Sequence, residues 1–350
     1  MEFLIEYGLF LAKAVTVVVA IGIVLGLIAA AGQKTRKKGD KGHIEVHKLN
    51  DRFKQMADTL KQAVLDEADR KSELKAEKKR LKAERAEKKA AKGQGEPTPG
   101  KRVFVLDFNG DIKASATDRL REEISTVLSL ASTSDEVVVK LESGGGLVHS
   151  YGLASSQLAR IRQRHIPLTV CVDKVAASGG YMMACVADRI LAAPFAVLGS
   201  IGVVAQLPNF HKLLKKNNVD FEVFTAGEYK RTVTMFGENT KKGRDKFVED
   251  LEDTHVLFKE FVAEHRPQVD VAAVATGEIW FGRRAQDVNL IDELKTSDEY
   301  LLSLSEKADI FEVNYVQKKS LPKKLGFAAE ESMDRLLLRW WQRSNNQRWF

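Results

Sequence analysis

EVVVKLESGGGLVHSYGLASSQLARIRQRHIPLTVCVDKVAASGGYMMACVAD, Glu136–Asp188, is the stretch that decides the fold. EVVVKLES (Glu136–Ser143) reads as a buried strand that stops at Gly144-Gly145-Gly146. Leu147–Arg164 carries a helical pattern, IPLTVCVD (Ile166–Asp173) is a second strand, and Ala177–Cys185 opens another helix. Strand, helix, strand and helix in succession predict an α/β body with parallel pairing.

The same alternation extends to both sides. VFVLDF (Val103–Phe108) reads as a buried strand, Ala116–Leu130 as a helix and RILAA (Arg189–Ala193) as a short strand. Phe210–Asn217 and Lys242–His265 read as helices; Phe247, Leu251, Val256, Leu257, Phe258 and Phe261 form the apolar side of the second. Tyr181–Leu207 is apolar enough to suggest a membrane span. Asp188, Arg189, Pro194 and several glycines interrupt it, so we expect buried core instead.

The first hundred residues have a different composition. Ala14–Gln33 is a run of 20 uncharged residues, which matches a hydrocarbon core of ~30 Å at ~1.5 Å per helical residue. Glu2 and Glu6 precede it, where a cleaved signal peptide would carry basic residues, so an uncleaved anchor is expected at 1–33. Residues 33–92 carry 20 Lys and Arg against 11 Asp and Glu, whereas the rest carry 35 against 37. The net charge of +7 therefore belongs to a stretch beside the membrane segment, which points to lipid headgroups and not to nucleic acid. Residues 34–92 read as a charged helical or partly disordered stalk. Leu49, Phe53, Met56, Leu60, Val64 and Leu65 form an apolar stripe at its start. Residues 93–101 are a linker, 102–316 the globular body and 317–350 a basic aromatic tail ending in RLLLRWWQRSNNQRWF.

Two cysteines, Cys171 and Cys185, make no disulfide framework and lack metal-site spacing; both read as small core residues. The chemistry points to VDKVAASGGY (Val172–Tyr181). Ser178 stands between a strand and a helix, where a tight turn exposes its hydroxyl and the helix start supplies unpaired N–H groups. A serine nucleophile needs a base. His149, beside the glycine turn, is one candidate. Lys230, in the apolar-flanked FTAGEYKRTVTMFG, is another, since enclosure away from water favours the neutral amine. The residues alone leave the choice open.

The segments DKVAASGGYMMACVAD (Asp173–Asp188), GSIGVVAQ (Gly199–Gln206), TAGEYKRT (Thr225–Thr232) and ESGGG (Glu142–Gly146), in that set, resemble the signal peptide peptidase family of serine–lysine proteases, peptidase family S49. The resemblance covers nearly the whole chain. It implies a Clp protease/crotonase-like α/β body with an N-terminal transmembrane helix and a charged helical stalk. It implies Ser178 as nucleophile, Lys230 as base, Ser200 as the residue orienting the lysine, and the amides of Gly145 and Gly179 as the oxyanion hole. One departure stands out: Gly144 occupies the place where the family usually has proline. Further implications are a serine endopeptidase of the bacterial inner membrane that needs no metal or other cofactor. It would act on signal-peptide remnants or other peptides, as a homo-oligomer. The Lys and Arg after the span place the body in the cytoplasm, while the family includes enzymes facing the periplasm, so the face stays open. Two other classes compete: an acyl-CoA-processing enzyme on the crotonase-like fold, and a catalytically silent membrane scaffold.

Overall fold

The computed structural model of the chain describes residues 15–16, 42–72, 75, 79, 82–83 and 100–317. The expected anchor lies outside these apart from Val15 and Thr16, as do the linker up to residue 99 and the tail from residue 318. Among the described residues no helix is long and apolar enough to cross a membrane.

The chain opens with β1 (His43–Lys48) and α1 (Leu49–Val64). Then follow β2 (Arg102–Gly110), α2 (Thr117–Leu128), β3 (Glu136–Ser143), α3 (Val148–Gln163), β4 (Leu168–Val172), β5 (Val175–Ala177) and α4 (Gly179–Ala184). After these come β6 (Arg189–Ala192), β7 (Val197–Gly199), α5 (His211–Lys216) and the long α6 (Lys241–His265). The described chain closes with α7 (Val271–Val274), β8 (Ile279–Phe281), α8 (Gly282–Asp287), β9 (Glu293–Leu294), α9 (Ser297–Ser305) and β10 (Asp309–Val316).

The main sheet runs β1-β10-β2-β3-β4-β6-β9, and β10-β2-β3-β4-β6-β9 are parallel neighbours. Side chains alternate between its faces. Phe104, Leu106, Val137, Val139, Val170 and Val172 pack on one side with residues of α2, α3 and α4. Val103, Val105, Val138 and Cys171 pack on the other with Leu49 of α1 and Tyr300 and Leu301 of α9. Both faces are thus covered, as a parallel sheet requires, because its strands are apolar on each side.

The sheet branches at the C-terminal end of β3. β4 pairs with Val137–Lys140, whereas Ser143 pairs with Ala176 of β5. β5 then continues to β7 in parallel, and β7 to β8 antiparallel. The β5–α4 turn belongs to this branch, and Ser178 sits at that turn.

The N-terminal edge of the sheet is held by buried carboxylates. Asp135 accepts from Arg102 Nε (3.0 Å) and Nη2 (2.7 Å) and from Ser132 N (2.8 Å) and Oγ (2.9 Å). Burial pushes its carboxyl up, but these bonds outweigh it and hold it at about 2. Burial likewise pushes Glu136 up. Lys101, Tyr300 and Thr169 donate to it at 2.7, 2.5 and 2.8 Å and bring it below the usual carboxylate range.

Several expectations need correction. β1 lies in a stretch expected to be stalk without a strand. Within the stalk, α1 ends at Val64, Leu65 is extended, and Asp66 Oδ1 caps a new turn through Ala68 N and Asp69 N. Met56, Leu60 and Val64 of its apolar stripe are exposed. On α6, Phe258 is buried as expected, but Val256 and Leu257 are exposed and Val262 takes the core position. Tyr181–Ile201 is largely core, with Phe195 exposed, whereas Val204 and Leu207 lie on the surface. Cys171 and Cys185 are buried free thiols, as the sequence suggests.

Candidate active site

Ser178 separates β5 from α4 and adopts φ 52° and ψ −119°, a left-handed conformation that costs a non-glycine residue ~1–3 kcal/mol. The turn holds it from both sides: Ser178 N–H donates to Gly199 O (2.8 Å) and Ser178 O accepts from Met182 N (2.9 Å). Its side chain makes no capping bond to the helix. It stays half-buried at a cavity mouth.

The glycine turn after β3 packs directly onto this elbow. Gly145 has φ +87°, and a Cβ there would stand 2.6 Å from Gly179 N and 2.8 Å from Ser178 Cβ. Gly179 is just as confined: a Cβ would meet Tyr151 Cγ at 2.4 Å. Only glycine fits at either place. Below them runs a buried chain of bonds. Tyr151 OH donates to Asp111 O (2.7 Å) and lies 2.5 Å from Ser143 Oγ, which accepts from Gly145 N (3.1 Å). The Gly145 amide, expected in the oxyanion hole, is thus engaged by a side chain of its own turn. Burial pushes the Tyr151 phenol up, with the Ser143 bond opposing.

Two cavities open at Ser178. The larger, about 630 Å³, is lined by Gly144, Gly145, Gly146, Ser178, Ser200, Gly202, Val203, Val204, His255, Thr276 and Gly277. The smaller, about 20 Å³, is lined by Gly146, Val148, Ser178, Gly179, Met182, Gly202, Val203, Thr254 and Phe258. The structure thereby brings together Ser178, Ser200, Gly145 and Gly179 from the turns after β3, β5 and β7 and the start of α4.

It does not bring Lys230 to them. Lys230 is exposed, on a turn closed by its own N–H to Gly227 O (3.2 Å), and lines neither cavity. Its loop is tied to the start of α6. Glu228 pairs with Lys242, and Lys242 and Lys246 stand 6.0 and 5.7 Å from the Tyr229 ring centroid. The loop also lines a separate cavity of about 320 Å³ with Phe221, Thr225 and Gly243. His149 is exposed at the first turn of α3 and lines neither Ser178 cavity. His255, in the sequence one helical histidine among several, does line the larger one. Its position three residues before Phe258, at the border of an apolar stripe, is the only signal the sequence offers. Among the described residues no cluster of His, Cys, Asp and Glu could hold a metal ion.

A serine at a left-handed strand-to-helix elbow, backed by a glycine turn and open to a cleft, has the form of an acyl-transfer site. Comparison with known proteins narrows this class. Residues 2–158 match the family described as Peptidase family S49 N-terminal, and residues 160–310 match Peptidase family S49. The chain is 52% identical over 342 residues to "Probable protease SohB" of Haemophilus influenzae, covering 97% of this chain and 96% of that one. It is 48% identical over 307 residues to "Probable protease SohB" of Buchnera aphidicola subsp. Schlechtendalia chinensis, covering 87% and 100%. A solved structure, a variant of the 1510-N membrane-bound stomatin-specific protease bound to a substrate peptide, is 13% identical with a TM-score of 0.40. It spans 65% of this chain and 96% of its own. The chain belongs to peptidase family S49.

Proposed function

We propose that this protein is a serine endopeptidase, anchored in the bacterial inner membrane by the segment Ala14–Gln33, with Ser178 as nucleophile. The observation that carries the reading is the meeting of strained Ser178, the Gly145 turn and Ser200 at one open cleft. We read the body as the Clp protease/crotonase-like fold that the resemblance implies, a reading its parallel α/β sheet supports.

Ser178 Oγ attacks a peptide carbonyl and its proton passes to the neutral amine of Lys230. The developing oxyanion takes N–H bonds from Gly179 and Gly145. A charged oxygen is a stronger acceptor than a hydroxyl, so the Gly145 amide exchanges Ser143 Oγ for it. Lys230 returns the proton to the leaving amine, and water, deprotonated by the same lysine, releases the acyl group. Ser200 orients the lysine. This scheme needs the Lys230 loop to reach a Ser178 cleft, and a neighbouring copy in a homo-oligomer supplies it without unfolding the loop's own anchorage on α6. No cofactor takes part in these steps. Substrates are peptides at the membrane, signal-peptide remnants among them.

The full chain in detergent is expected to hydrolyse a fluorogenic peptide with the sequence of a signal-peptide core, and Ser178→Ala and Lys230→Ala to abolish hydrolysis while folded. Mixing the two silent variants is expected to restore part of the activity if serine and lysine come from different copies. A fully active Ser178→Ala protein would end the proposal.

A further inference from the structure

The turn Gly199–Ser200–Ile201 lies under the candidate nucleophile in an unusual conformation. Gly199 has φ +84° and Ser200 φ +50°, so two successive residues are left-handed and one of them is not glycine. Such a pair persists only where its surroundings over-determine it. Backbone bonds supply part of this. Gly199 O accepts from Ser178 N (2.8 Å), Ser200 N–H donates to Glu278 O (2.6 Å), and Ile201 O accepts from Gly277 N (3.2 Å).

A side chain supplies the rest. His255 Nε2 lies 3.2 Å from Ile201 O. A carbonyl oxygen only accepts, so Nε2 carries the proton in this bond. His255 comes from α6, whose buried residues are Phe258 and Val262. Its neighbours Thr254 and Phe258 face the small Ser178 cavity, while His255 itself lines the large one. One turn of α6 therefore forms a wall of both cavities, and the Ile201 carbonyl is where that wall, the Ser200 turn and the Thr276–Gly277 turn meet.

We infer that His255 is a positioning residue of this site: its Nε2–H clamps the Ile201 carbonyl and so fixes the left-handed Ser200 turn beneath Ser178. The inference rests on the reading of Ser178 as nucleophile. It assigns His255 no proton transfer. The clamp sets where the Ser200 hydroxyl stands and where Gly199 O holds the Ser178 amide.

The test uses the full chain in detergent with His255→Ala and His255→Gln, glutamine offering an amide N–H in place of the ring N–H. Two readouts are taken: kcat and KM on the fluorogenic peptide beside Ser178 labelling by a fluorophosphonate, and hydrogen exchange of amides in residues 199–203 and 276–279. Losing one positioning bond is expected to lower kcat and labelling about tenfold in His255→Ala with KM nearly unchanged. Exchange at Ser200 and Gly277 is expected to rise about fivefold. Glutamine should recover most of both. Unchanged exchange in His255→Ala would overturn the clamp. So would a glutamine variant as slow as alanine with its exchange protected, which would make the imidazole a base. A parent protein that no probe labels would sink the nucleophile reading instead, and the exchange readout would still decide the clamp.

Discussion

Replacing Phe258 is expected to change which peptide bond is cut. The cavity beside Ser178 holds about 20 Å³, bounded by Met182, Phe258, Val148 and Val203. Room for one water needs ~10–15 Å³ on this scale, so the cavity takes a methyl group and not an isobutyl group. If the residue before the scissile bond points here, alanine enters freely. Leucine must push aside Met182, 8% exposed, and Phe258, 4% exposed, in a packed core. Such overpacking costs ~1–3 kcal/mol, so kcat/KM should favour an alanine peptide over its leucine counterpart about 10–100-fold. Phe258→Leu shortens the wall and should cut that preference to about threefold or less, chiefly by raising the leucine rate. Phe258→Ala opens more space but gives up ~3–5 kcal/mol of core packing, so the leucine variant is the one to use. The assay is competition between paired fluorogenic peptides with a thermal melt of each protein. Equal rates on both peptides in the parent, or an unchanged ratio in a folded Phe258→Leu protein, would refute the argument.

Two further outcomes follow from Asp135, just before β3, and Gly144 at the turn after it. Folding lowers the Asp135 carboxyl from 3.8 to about 2, so its contribution to stability is full above about pH 4 and drains away as pH falls toward 2. That contribution is about 2 kcal/mol; the stability gap between parent and Asp135→Asn, measured by urea unfolding, should narrow from pH 6 to pH 2.5, and a constant gap would contradict it. Gly144 does not lie in the left-handed region and a Cβ there meets nothing within 4 Å, so Gly144→Ala should raise stability by ~0.4–1 kcal/mol through the unfolded chain. The melting temperature should then rise by about 1–4 °C, and a fall would contradict it.

What the sequence makes legible depends on how local the signal is. Glu136–Ser143 is a strand at both predicted ends because its apolar run stops at three glycines. The Ser178 elbow is equally legible, since a strand, a serine and two glycines are adjacent in sequence. β1 is hidden although Ile44 and Val46 alternate with polar residues as a strand's would, because two apolar residues are too short a signal inside a stretch dominated by lysine and glutamate. The apolar side of α6 misleads at Val256 and Leu257, because periodicity states which residues share a face and not how much of that face is covered. Arg266, 1% exposed and paired with Asp292 at 2.9 Å, carries no local sign of burial. His255 and Lys230 mark the same limit from opposite sides. One reaches the cleft and the other does not, and both placements are set by how α6 docks.

α6 is anchored near its start to the Lys230 loop, through Lys242 with Glu228, and near its middle to the Ser200 turn, through His255 with Ile201. Those two anchorages are about 20 Å apart along one uninterrupted helix. Phe258 and Val262 bury the half of α6 that carries His255, while no residue of its first half is buried. α6 thus gives the Ser200 turn and the Lys230 loop a common support, and a shift in how Phe258 and Val262 dock would carry both.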